Sequence, residues 1–174
     1  MTQMFQAFIN GKWTDSVSGD TLVITNPATG QVVAQAARCG VPDLENAVAA
    51  AEKAGPAWAA TPVGERSKVL LKAASLIMAN QQELAELETM EHGSPIRKTM
   101  NFDVPLCAEQ LEYFAGVARA MTGETLPVGP WCLSTTVREP LGIVGLITPW
   151  NFPALMVVWK LGAALVTGNT CIVK

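Results

Sequence analysis

The apolar positions of this chain change period three times. Up to about residue 40 they fall in short β-branched or aromatic runs broken by turn residues. "FINGKW" (Phe8 to Trp13) predicts a hairpin turning on Asn10 and Gly11, and "LVITNPATGQVVAQA" (Leu22 to Ala36) predicts two strands about a Pro/Gly turn. From Pro42 the spacing becomes helical. "PDLENAVAAAEKAG" places Leu44, Ala47, Val48 and Ala51 on one face and reads as an amphipathic helix terminated at Gly55. Between Gly64 and Gly93 the apolar residues Val69, Leu70, Ala73, Ala74, Leu76 and Ile77 are followed by Leu84, Ala85 and Leu87, so one long helix and two helices meeting near Asn80 fit equally well. A further helix is expected from about Val104 to Met121, with Leu111, Phe114, Ala115 and Ala118 as its stripe. Trp131 to Arg138 alternates between Gly/Pro flanks and reads as an exposed strand or half of a hairpin.

The third change comes after Leu141. "GIVGLI" (Gly142 to Ile147) is a β-branched run that predicts a buried strand, and "ALMVVWKLGAALV" is long enough for three helical turns. Pro153 suits the first helical position, where a missing N–H costs nothing, so the helix should begin near Ala154. "TGN" (Thr167 to Asn169) ends it, and "TCIVK" is a second strand. Strand, helix and strand make a βαβ unit, which implies a parallel sheet and a right-handed crossover. Ligands of such sheets collect beyond the carboxyl ends of the strands, where both Asn151 and Lys174 fall. Turn chemistry alone leaves Asn151 equally readable as a residue that satisfies the turn backbone.

Composition narrows the classes. The chain has 174 residues, 49% of them apolar and 16% charged, with a net charge of −3. From Leu141 onward Lys160 and Lys174 are the only charges, but Lys160 and Gly162 interrupt the apolar run before it reaches the roughly 20 residues a membrane span needs. The start, "MTQMFQAFINGKW", has no basic segment followed by an apolar one, so no signal peptide is expected. No run of Lys or Arg exceeds two residues, which excludes a nucleic-acid surface. Cys39, Cys107, Cys132 and Cys171 lie too far apart for a zinc pattern, and reduced thiols in a cytoplasmic protein are expected. The one histidine, His92, precedes Gly93 and suits a helix C-terminus. Neither G-x-G-x-x-G nor G-x-x-x-x-G-K-[ST] occurs.

The motifs "FINGKW", "NPATG", "LETMEHG", "EYFAG", "REPLGIVGLITPWNFP" and "GNTCIVK", in this order and spacing, resemble the N-terminal part of the NAD(P)-dependent aldehyde dehydrogenase superfamily along essentially the whole chain. The resemblance implies an α/β fold: the N-terminal part of a Rossmann-like parallel-sheet NAD-binding domain, with an N-terminal β-hairpin region, helices and a β-hairpin oligomerisation element. Residues 1–122 would be hairpins and helices of the cofactor-binding domain, 123–140 the oligomerisation segment, and 141–174 the first βαβ unit. It further implies that the amide of Asn151 donates to the oxyanion formed when a thiolate attacks an aldehyde. Ile147, Thr148, Pro149, Trp150 and Asn151 would lie along NAD or NADP, and Lys174 would bond the adenosine ribose. Lys160 matches a lysine that some members place near the catalytic centre, its alternative being a snorkelling or structurally paired lysine. The segment Trp131 to Arg138 would assemble homodimers or homotetramers. None of the four cysteines matches the family's nucleophile motif, members are more than twice as long, and Ser94 stands where the family often has Lys. The 174 residues by themselves are therefore expected to be inactive, and a non-catalytic protein keeping only binding or assembly surfaces is the alternative.

Overall fold

The computed structural model describes residues 3–174; Met1 and Thr2, where the expected leader-free start and the first expected unit begin, lie outside the described residues. β1 (Gln3–Phe5) runs parallel to β5 (Val32–Ala37), which pairs antiparallel with β4 (Thr21–Thr25). β2 (Ala7–Ile9) and β3 (Lys12–Thr14) form the expected hairpin, with Ile9 opposite Lys12. Asn10 and Gly11 both take positive φ, 54° and 73°. That is the twist a two-residue turn between right-handed strands requires. The parallel partner β1 is an addition to the two strands the sequence predicts.

α1 (Val41–Ala60) starts where Asp43 accepts the N–H groups of Gly40 and Val17, at 2.8 and 2.9 Å. These two donors hold the Asp43 carboxyl below the ordinary aspartate range. The helix does not stop at Gly55 as expected; it runs through Gly55 and Pro56 to Ala60. Tertiary packing overrides the local breakers, because this last turn carries Trp58, whose Nε1 donates to the Leu165 carbonyl at 2.9 Å. α2 (Val63–Ala79) and α3 (Gln81–His92) are separate helices, and the Asn80 amide donates to the Leu76 carbonyl at the break. Gly93, at φ 81°, closes α3 in the left-handed conformation.

α4 (Ile96–Lys98) and a π-helical turn (Thr99–Asp103) lead into α5 (Val104–Val117), and a 3₁₀ turn (Ala118–Ala120) replaces the last expected turn before Met121. β6 (Thr125–Gly129) pairs antiparallel with β7 (Cys132–Thr135), so the expected strand from Trp131 to Arg138 is shorter and is the second arm of a hairpin. β8 (Ile143–Leu146), α6 (Pro153–Val166) and β9 (Thr170–Val173) form the βαβ unit, with β8 and β9 parallel and Leu146 beside Val173.

The core is a three-helix seam. Leu70 and Ala74 of α2, Ala108, Leu111 and Ala115 of α5, Ala118, and Val166 of α6 form one buried cluster. Each large apolar side chain there is worth about 1.5–3 kcal/mol of burial. Gly162 sets the distance between α5 and α6, because a Cβ at that position would fall 2.9 Å from Phe114 Cδ2 and 3.3 Å from Leu111 Cδ2. The carboxyl end of α6 is held by Trp58 and by Arg66, whose Nε donates to the Val166 carbonyl at 2.9 Å. Asn169 locks the crossover: its Oδ1 accepts the Gly142 N–H at 3.0 Å and its Nδ2 donates to Thr167 Oγ1 at 2.8 Å. With one end of α6 fixed in this way, its amino end is aimed at the turn that follows β8. Among the described residues no helix is long and apolar enough to cross a membrane.

Candidate functional site

The turn from Ile147 to Phe152 joins the carboxyl end of β8 to α6. Its first half is tied to the sheet. Thr148 gives its N–H and its hydroxyl to the Lys174 carbonyl, each at 2.9 Å, and the Lys174 N–H returns to the Leu146 carbonyl at 2.9 Å. Lys160, on the second turn of α6, donates its ammonium to the Ile147 carbonyl. That contact gives Lys160 a backbone partner at the end of β8. Ile147, Thr148, Lys160 and Lys174 are thus brought together in space, although they lie far apart along the chain.

The second half of the turn is held from the other side, by residues of the α3–α4 region. Trp150 lies against His92, with ring centroids 6.3 Å apart, and the Lys98 ammonium sits 4.2 Å from the centroid of the Phe152 ring. The sequence places His92 only at a helix end and carries no signal for Lys98. No spacing signal could have found that contact, since it joins two segments more than 50 residues apart. Ser94, adjacent to this clamp, is buried, and its hydroxyl lies 2.8 Å from His92 Nδ1.

Asn151 lies between the two clamped aromatic residues. It is exposed, and none of the side-chain hydrogen bonds among the described residues involves it. The alternative in which Asn151 satisfies turn backbone therefore has no bond to support it here. Two residues further on, Pro153 opens α6, so the positive end of the helix lies at the turn. An uncharged amide donor and a helix N-terminus on one exposed edge suit an oxygen that acquires negative charge.

The cysteines offer no nucleophile to this edge. Burial pushes the Cys107 thiol up to about 12 and the Cys171 thiol to about 11, and burial with the Asp43 charge raises Cys39 as well. Thiols held above their usual range stay protonated and unreactive at neutral pH. Cys132 is exposed on β7, in the hairpin. Two surface grooves of about 470 and 480 Å³ lie away from the turn, one between β3 and α1, the other between α1 and the amino ends of β8 and β9. Neither includes Asn151.

The fold and the turn define an α/β protein with a parallel βαβ crossover whose exposed polar groups gather at the carboxyl ends of its strands. Residues 13–174 match the model of the aldehyde dehydrogenase family, and the chain belongs to that family. It is 43% identical over 170 residues to an aldehyde dehydrogenase of Deinococcus radiodurans, covering 98% of this chain and 33% of the relative. Among solved structures, the NAD-dependent aldehyde dehydrogenase of Sinorhizobium meliloti superposes with a TM-score of 0.94 at 37% identity, covering 99% of this chain and 35% of that one. The NAD+ complex of the Bacillus cereus aldehyde dehydrogenase superposes with a TM-score of 0.95 at 37% identity, covering 98% and 35%. The chain thus spans about a third of the length of the relatives it matches, and corresponds to their N-terminal portion.

Proposed function

We propose that these residues are the oxyanion-binding and part of the cofactor-binding portion of an enzyme that oxidises an aldehyde to a carboxylic acid with NAD+ or NADP+. The observation that carries the reading is Asn151: an exposed amide without a partner among the described residues, lying between Trp150 and Phe152 at the carboxyl end of β8. In this reading Asn151 Nδ2 donates to the aldehyde oxygen as a thiolate adds to the carbonyl carbon. The amide has no proton to lose and is oriented before the charge appears, so little reorganisation opposes the step.

The edge fits a dinucleotide. Ile147 and Trp150 are 69% and 81% exposed and offer apolar faces, while the Lys174 side chain, also exposed, offers an ammonium to ribose hydroxyls. Thr148 and Pro149 complete the strip between them. When bound, NAD(P)+ supplies the two-electron acceptor for the overall conversion of aldehyde and water to carboxylate and two protons. Lys160 holds the Ile147 carbonyl and so fixes where this strip begins, close to the catalytic centre. The nucleophilic Cys, the general-base Glu and the walls of the aldehyde passage belong, in this reading, to the two thirds of the relatives' length that the chain does not span.

The division expected from the sequence goes with this reading: hairpins and helices over 1–122, an assembly hairpin over 123–140, and the first βαβ unit over 141–174. Trp131, Leu133 and Val137, each about four-fifths exposed, would face a second copy in a homodimer or homotetramer. Residues 1–174 by themselves should not oxidise aldehydes. The test is formation of reduced nicotinamide from simple aldehydes by purified 174-residue protein and by a polypeptide that continues it with the remaining family segments. Turnover by the longer polypeptide alone is expected, and its failure with every aldehyde and both cofactors would contradict the proposal.

A further inference from the structure

A pair of buried acids lies behind the turn. Glu88 of α3 is 6% exposed, and Asp103 of the π-helical turn is fully buried. Asp103 Oδ2 takes the Lys98 ammonium, but Asp103 Oδ1 and both Glu88 carboxyl oxygens have no hydrogen-bond partner among the described residues. Two carboxylates against one ammonium leave a buried negative charge uncompensated, which costs far more than a neutral acid in the same place. One proton removes the conflict. Placed on Glu88, it converts an orphaned acceptor into a donor toward Asp103 Oδ1 and leaves the ion pair of Asp103 with Lys98 intact.

The surroundings favour that proton. Burial, then the neighbouring Asp103 charge, raise the Glu88 carboxyl from the ordinary 4.5 to about 7, with Lys98 opposing and Glu91 adding to the rise. The remaining titratable neighbour, Cys107 of α5, donates its thiol to the Asp103 carbonyl at 3.2 Å and stays neutral. The hydroxyls of Thr89 and Thr99, 2.9 Å apart, join α3 to the π-helical turn without adding charge.

Lys98 links this pair to the turn. The ammonium that binds Asp103 is the one that sits over the Phe152 ring. Phe152 is the residue before α6, its carbonyl accepts the Met156 N–H at 2.9 Å, and it follows Asn151 directly. An ionised Glu88 would be a second anion competing for Lys98 and would draw the ammonium inward, off the ring. We propose that Glu88 and Asp103 share one proton, and that this pair, acting through Lys98 on Phe152, is the positioning device that holds the Asn151 turn. Its catalytic consequence rests on the reading of Asn151 as an oxyanion donor, whereas the shared proton and the hold on Phe152 do not.

The test uses the full-length polypeptide carrying these residues, as wild type and as Glu88→Gln, which keeps a donor, Glu88→Leu, which keeps none, and Lys98→Met, which keeps the stem without the charge. Infrared difference spectra with carbon-13 glutamate near pH 6, about one unit below the raised Glu88 value, should contain a protonated-carboxyl band that Glu88→Gln lacks. Amide exchange of Met156 relative to Thr148 should rise roughly tenfold in Lys98→Met and Glu88→Leu and stay within about twofold in Glu88→Gln. Lys98 is partly exposed, so Lys98→Met carries the test should Glu88→Leu not fold. On activity, Lys98→Met should lower kcat roughly tenfold with the cofactor KM within about twofold, and should have little further effect on an Asn151→Ala background. Absence of the band, or an unchanged Met156 to Thr148 exchange ratio in Lys98→Met, overturns the proposal. An Asn151→Ala variant with wild-type kcat instead defeats the oxyanion reading, and the infrared and exchange results then judge the acid pair separately.

Discussion

Thr148 donates both its backbone N–H and its hydroxyl to the carbonyl oxygen of Lys174, each at 2.9 Å. These two hydrogen bonds to one carbonyl oxygen tie the chain leaving β8 to the end of β9, so that Ile147, Thr148 and Lys174 form one edge with a fixed backbone, from which the Ile147 and Lys174 side chains project exposed. Cofactor contacts made from such an edge act on the ground state and the transition state alike.

Lys174→Ala in the full-length enzyme should therefore raise the cofactor KM severalfold while kcat changes little, because uniform binding is what is lost. Steady-state kinetics at saturating aldehyde provides the check. An unchanged cofactor KM would remove the Lys174 side chain from the site.

Glu88 makes stability depend on pH. Its folded value is raised from 4.5 to about 7, so between those limits the folded state binds more protons than the unfolded one. Stability should then be greatest below about 4.5 as far as this group is concerned, fall as pH rises toward 7, and level off above it. Denaturant midpoints across that range should show the decline in wild type, and Glu88→Gln should flatten it. A wild-type profile with the same slope as Glu88→Gln would mean that Glu88 is ionised throughout.

The β6–β7 hairpin has no buried residue, and a lone two-stranded sheet is marginal in water. Leu133 and Val137 are 80% and 78% exposed, and in the proposed assembly they face a second copy. Replacing both with Glu should lower the native mass measured by light scattering toward that of a single copy. Retention of the wild-type mass would show that the hairpin is not the contact between subunits.

How far the sequence led depended on whether local chemistry or tertiary contact decided each feature. The Asn10-Gly11 hairpin and the strand-to-helix junction at Pro153 follow from turn residues and dihedral limits, and both were legible. The continuation of α1 past Gly55 and Pro56 was not, because Trp58 and its bond to the Leu165 carbonyl supply the reason, over 100 residues away. The choice between one helix and two at Asn80 turned on a side-chain bond that competes with the helix backbone. The π-helical turn at Thr99–Asp103 left no trace in the apolar period, since its irregularity serves two buried polar residues, Thr99 and Asp103. At the candidate site the position of Asn151 at a strand end was readable. The clamp by His92 and Lys98 was not, and a paired Lys160 was readable as an alternative but its partner, the Ile147 carbonyl, was not.

Asn151 is exposed and has no partner among the described residues, which separates a catalytic role from a structural one. Replacement of an exposed, unbonded side chain should shift folding stability by no more than about 0.5 kcal/mol. Removal of an oxyanion donor should lower kcat roughly 10²- to 10³-fold, or about 2.7–4 kcal/mol. Asp at this position should be at least as harmful, since it sets a negative charge against the one that develops. The most direct measurement is active-site-titrated kcat and melting temperature on the same preparation of full-length Asn151→Ala. With Asn151 as the oxyanion donor, kcat collapses while the melting temperature and cofactor affinity stay close to wild type; a kcat within about threefold of wild type would contradict that role.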